Sequence, residues 1–264
     1  MLRPLRPTLI GLLAWTALAW GQRPADADAA ALIERSRQKA LDYARSLPDF
    51  VCTETVRRYT ARDSRQPLPW TSTDKLTVKL SFFQQKEDHK LMLVNDRPTD
   101  RKYEGLEGVT GAGEFGGTLL NIFEPAAQAS FRWQSWKNVR RHRAAEYTYV
   151  VEAAHSRFLL RHGAVGHPQE AIVGFHGDLE VEGTTGEVLD FTYVADDIPR
   201  NLSLSYAGTT VDYDFAAVGG RDYLLPARSE TEMRSANLWL RNNVEFREYR
   251  KFSADSVVEF GAAK

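Results

Sequence analysis

The chain has 264 residues, 43% of them hydrophobic and 26% charged, the make-up of a folded protein with material for a large core. Its 34 Lys and Arg stand against 35 Asp and Glu, so there is no broad basic field and nucleic acid is excluded as an expected partner. Its single cysteine cannot make an internal disulfide, which leaves the fold to be held by its core.

At the N-terminus, Arg3 and Arg6 precede the apolar run "LIGLLAWTALAW", and Ala19 and Gly21 follow as small residues. These are the parts of a secretory signal peptide, with cleavage expected after about residue 21. A helix of that run rises only about 18 Å, short of the roughly 30 Å hydrocarbon core of a bilayer. The expected product is therefore exported to the periplasm or beyond, without a transmembrane span and at most peripheral to a membrane. Residues 22–28 read as a flexible leader, and 29–264 as one domain.

From Ala29 to Leu47 the pattern is helical, with Ile33, Ala40, Leu41, Ala44 and Leu47 on one stripe. Pro48 ends it. Beyond this the chain alternates with a period of two. Leu76, Val78, Leu80 and Phe82 are separated by Thr77, Lys79 and Ser81, and the polar stretch "QQKEDHK" leads into "LMLVN". "FRWQSW" and "EYTYVVEA" flank the basic turn "RRHRA", and "SRFLLRH" follows. "IVGFHGDLEVEG" and "EVLDFTYVA" meet at Thr184-Thr185-Gly186, and Gly219-Gly220 suits a tight hairpin between two further strands. A short helix is expected at about 116–123, stopped before Pro125. The expected fold is mainly β: a large curved antiparallel sheet, a half-barrel of about 9–11 strands, with an N-terminal helix and one short internal helix.

Several stretches match motifs as text. Gly111, Gly113 and Gly116 spell G-x-G-x-x-G, but no buried strand precedes them, no acidic residue stands where a ribose ligand belongs, and no βαβ unit surrounds them. A mobile segment is the better reading, and no cofactor is expected. Ser36 and Lys39 form S-x-x-K without the other penicillin-binding elements and are placed on a solvated helix face. His142, His155, His162, His167 and His176 lack metal-ligand spacing, so no metal is expected. Glu180 with Glu182, and Asp212 with Asp214, each share a strand face as an acid–base pair would, yet they also fit the polar side of a half-buried sheet. Cys52 reads as a buried strand residue. The "RRHRA" turn near Trp133 and Trp136 could grip an anion. No catalytic residue emerges.

The segment "GDLEVEGTTGEVLDFTYVADDIP", residues 177–199, following an exported helix and a meander, resembles the periplasmic lipoprotein-carrier superfamily, which includes LolA-like carriers and the N-terminal domain of RseB. "LPDFVCTETVRRY", "GEFGGTLLNIFEP" and "YLLPARSE" also resemble a family of secreted bacterial proteins to which no activity attaches. The carrier resemblance implies a non-enzymatic protein holding a hydrophobic ligand, such as an acyl chain, a lipoprotein or a peptide, on a concave sheet. Val78, Leu80, Phe82, Leu91, Leu93, Phe131, Trp133, Phe191 and Tyr193 are the expected lining, and Leu119, Leu120, Ile122 and Phe123 the expected lid. A structural or regulatory module that binds an envelope protein is the alternative, and a hydrolase assembled from distant strands a third.

Overall fold

The computed structural model describes residues 26–62, 67–103, 106, 114–164 and 167–252. The expected signal peptide, with Gly111 and Gly113, lies outside them. Helix α1 spans Asp26–Ser46, so the last residues of the expected leader are its first turn. Its buried residues are Leu32, Ser36, Ala40 and, just beyond the helix, Leu47, while Ile33 and Leu41 are half-buried. Ser36, expected in solvent, faces the sheet. Its hydroxyl donates to the Leu32 carbonyl at 3.1 Å, an internal bond that lets a polar residue sit in an apolar stripe.

The strands follow as β1 (Phe50–Ala61), β2 (Thr71–Phe83), β3 (Lys86–Val94) and the two-residue β4 (Arg97–Pro98). Helix α2 (Gly117–Phe123) comes next. It is entered through Gly116, whose φ of 107° is natural only to glycine, and it stops at Glu124 before Pro125. Then come β5 (Ser130–Val139), β6 (His142–Val151), β7 (Leu159–Ala164), β8 (His167–Ile172), β9 (Phe175–Glu182), β10 (Val188–Ala195), β11 (Tyr206–Val218), β12 (Arg221–Ser235) and β13 (Leu238–Lys251).

Eleven of these strands form one curved antiparallel sheet in the order β4-β3-β2-β1-β13-β12-β11-β10-β9-β6-β5, with its two edges unjoined. The first strand lies beside the last, which places both chain ends of the meander in the middle of the sheet. "SRFLLRH" is the exception to the meander: β7 pairs only with β8, as a separate ribbon. Gly219 and Gly220, at φ 59° and 83°, make the two-residue turn between β11 and β12.

The sheet has a seam. β12 pairs with β13 only from Arg228 to Ser235, and β10 accompanies β11 only from Gly208 to Asp212. A register shift at Asp212/Tyr213 marks the departure. From Tyr213 to Pro226 the β11–β12 hairpin is a free-standing two-stranded ribbon. One face carries Val218 and Leu225 into a cluster with Phe50, Val78, Phe82, Phe115 and Phe246. The other face sets Tyr213 and Leu224 against α1, α2, β6, β9 and β10, with Ile122, Phe123, Tyr147, Leu179 and Phe191. The ribbon thus divides the concave side into two cores, with Tyr43 of α1 packed against both. A third, small cluster of Leu160, Val173, Leu202, Leu204 and Ala207 fixes the β7–β8 ribbon to one end.

Candidate functional site

Where the ribbon leaves the sheet, α1 does not follow it closely, and a groove of about 460 Å³ opens between them. Its apolar floor is made by Ala40, Leu47, Leu119, Val188, Tyr213 and Leu224. Its rim is charged, with Arg35 and Lys39 on α1 facing Glu187 and Asp222. Phe215, 45% exposed, stands at the mouth. Tyr43 also lines it, edge-on to Tyr213 with ring centres 5.8 Å apart, and its buried hydroxyl has no hydrogen-bond partner. Concave, largely apolar lining with a few polar groups, at this volume, is the usual build of a small-ligand site.

The residues expected to line a ligand lie elsewhere. Val78, Leu80, Phe82 and Leu91 are buried in the core on the β1–β3 side, and Phe191 in the core under α2. Phe131, Trp133 and Tyr193 are half-buried at the border of the latter. Phe50 stacks on Phe82 at 5.2 Å, and Phe123 on Phe131 at 5.4 Å, so these surfaces are filled by protein. A void beside Val51, Cys52 and Val78 measures about 20 Å³, room for one water. Leu93 faces away from its expected companions. The ladder shifts between Thr77 and Val78, so that Val78 meets Leu91 but Thr77 meets Leu93, and the extra residue turns Leu93 to the other face. In the expected lid, Leu119, Ile122 and Phe123 are buried and Leu120 is half-buried, and Leu119 alone of both sets lines the groove.

Two acidic clusters were hidden from sequence reading because they depend on register. On the outward face, Asp212 lies opposite Asp190, Asp190 opposite Glu180, and Glu180 opposite Glu146. Lys137 bonds Glu180 at 2.6 Å and Glu146 at 2.8 Å, and Arg140 of the basic turn donates to the Tyr213 carbonyl beside Asp212. Burial, then the hydrogen bond with Asp212, pushes the Asp190 carboxyl up to about 8. Glu182 and Asp214, the outer members of the two same-face pairs, are engaged locally. Glu182 accepts the Thr184 and Thr185 N–H groups of its own turn, and Asp214 accepts the Phe215 N–H at 2.8 Å. Of the basic turn, Arg143 is also engaged, stacking over Trp136 at 4.2 Å.

The second cluster is inside. Glu54, 3% exposed, sits between Val78 and Phe246 with its Oε2 3.7 Å from His89 Nε2. His89 stacks on Tyr103 at 5.1 Å. Glu114, also buried, accepts a 3.4 Å bond from Ser229, and its carbonyl accepts one of 2.7 Å from Tyr213. Burial first, then the Glu114 and Glu87 charges, pushes Glu54 up to about 8. Burial likewise raises Glu114 and the Cys52 thiol, which makes Cys52 a poor nucleophile. Among the described residues no group of His, Cys, Asp and Glu converges as a metal requires, and no helix is long and apolar enough to cross a membrane.

No family model matches the sequence, and no curated protein matches it. Solved bacterial structures share the general course of the chain. A LolA superfamily protein of Nitrosomonas europaea aligns over 85% of this chain and 94% of its own, at 8% identity and a TM-score of 0.35. A putative outer membrane lipoprotein-sorting protein domain of Vibrio parahaemolyticus aligns over 88% and 95%, at 8% identity and 0.40. A DUF1329 family protein of Desulfovibrio piger aligns over 86% and 95%, at 9% identity and 0.37. These chains are similar to this one in overall course, and no residue's role carries over at such identity.

Proposed function

We propose that this protein is an exported, non-enzymatic binding or carrier protein that holds an apolar ligand in the groove between α1 and the β11–β12 ribbon. The observation that carries the reading is the groove itself: an apolar floor, a charged rim and a volume of about 460 Å³. An acyl chain or an apolar peptide side chain would replace water on Leu47, Val188 and Leu224, at about 25 cal/mol for each Å² of apolar surface covered. The charged rim would keep the empty groove from acting as a sticky patch. The N-terminal arginines, apolar run and small residues support export.

The test is native mass spectrometry of the protein purified from an envelope fraction, with thermal unfolding in the presence of a long-chain fatty acid and of an apolar peptide. A co-purifying apolar species, or a rise in Tm that grows with ligand concentration, is expected. Leu224→Glu should remove that rise while leaving the far-UV spectrum unchanged. No bound species together with no shift from either probe would overturn the reading.

A further inference from the structure

The edge of β11 that faces the groove is a strand edge without a strand. The two-residue Gly219-Gly220 turn makes Val218 and Arg221 a hydrogen-bonded pair, so Asp214, Ala216 and Val218 direct their backbone groups to β12. Tyr213, Phe215 and Ala217 must then direct theirs to the opposite edge. β10 covers that edge only as far as Asp212. The next two groups along it are answered by side chains in place of backbone: the Tyr213 carbonyl accepts a bond from the Arg140 guanidinium, and the Phe215 N–H donates to the Asp214 carboxylate. The Phe215 carbonyl and the Ala217 N–H and carbonyl continue the row. Tyr213 and Phe215, whose backbones form this edge, also line the groove with their side chains.

We propose that an extended polypeptide segment of a partner adds here as a further strand along Tyr213–Ala217, taking over the bonds now made by Arg140 and Asp214. Alternate side chains of such a strand point to one face. The occupant is therefore a peptide with apolar residues at every second position, seated on Leu224 and Leu47 under α1. Main-chain bonds supply affinity, and the groove selects the apolar alternation. The assignment rests on the groove being the ligand site, and it narrows the ligand from any apolar molecule to a peptide strand.

The experiment uses the full chain and a fluorescent peptide, Lys-Leu-Thr-Val-Ser-Leu-Thr-Val-Lys, with a fluorescent fatty acid as a second probe. Ala217→Pro deletes an edge N–H at a position that does not line the groove and that β12 does not bond. Peptide binding should weaken at least about tenfold, equivalent to 1.4 kcal/mol, while fatty-acid binding is unchanged. The same peptide N-methylated at alternate amides should lose binding to the unaltered protein, which keeps the test valid if the proline variant fails to fold. Equal binding of plain and methylated peptide would overturn strand addition and leave the groove standing. Absence of peptide binding alongside fatty-acid binding would also overturn it. Failure of both probes would overturn the groove reading itself.

Discussion

The two cores on either side of the β11–β12 ribbon are built on opposite terms. The one under α1 and α2 is apolar and aromatic, and its buried tyrosines each have a carbonyl to bond: Tyr147 donates to Ala29 at 2.9 Å and Tyr149 to Thr192 at 2.8 Å. The one on β1–β3 and β13 holds a comparable set of aromatic rings around two buried carboxyls, Glu54 and Glu114. A satisfied hydroxyl is nearly free of cost, whereas a buried carboxyl must stay protonated or lose stability. The interior of the first core is therefore indifferent to pH and that of the second is not.

The largest effect should come from emptying either core. Phe123→Ala and Phe50→Ala, both 0% exposed, should each cost about 3–5 kcal/mol in denaturant unfolding. The ribbon separates them, so the double variant should equal the sum within about 0.5 kcal/mol; a large coupling energy would show that the halves act as one. Arg58→Met should come next. Arg58 holds Asp74 at 2.5 Å across β1 and β2, both side chains about 15% exposed, and stranding Asp74 should cost about 2 kcal/mol in the same unfolding measurement. That loss should be smaller if Asp74 is changed to Leu as well.

The pH dependence separates the halves most sharply. Glu54 is raised from 4.5 to about 8, so the folded state holds a proton that the unfolded chain releases. Its contribution is fully present below the unfolded pKa and is lost as pH climbs towards 8. Stability followed from pH 4 to 9 by chemical denaturation should fall over that window, and Glu54→Gln should flatten much of the slope. Asp190, raised by burial first and then by its hydrogen bond with Asp212, lies outside both cores on the outward face, so the slope that Glu54→Gln leaves behind should be removed by Asp190→Asn. The smallest effect belongs to Tyr43, which touches both cores. Its hydroxyl has no partner, so Tyr43→Phe should change stability by less than about 1 kcal/mol, and in the stabilising direction.

Much of the architecture could be read locally. Gly116 and Pro125 bracket α2, Gly219-Gly220 places a hairpin, and the 177–199 stretch becomes the adjacent pair β9 and β10, because each signal lies within a few neighbouring residues. What escaped depends on pairing across the sheet. The bulge that turns Leu93 away, the register that lines up Asp212, Asp190, Glu180 and Glu146, and the departure of β10 that uncovers β11 have no signature in their own segments. The groove escaped for the same reason: Ala40 and Leu47 of the expected helical stripe do line it, but its other wall exists only where the ribbon leaves the sheet.

Pro226 stands where β12 turns its backbone towards β13, at the point where the two part. A proline has no N–H to offer that neighbour, so separating the strands there abandons no donor, and the carbonyl that remains is claimed by the Tyr249 hydroxyl at 2.6 Å. The opening in the sheet is thus written into the chain as a missing hydrogen. In an amide-exchange experiment the seam would appear as a boundary with a silent residue on it, protection running unbroken from Arg228 onward and falling to alternate residues on the ribbon side.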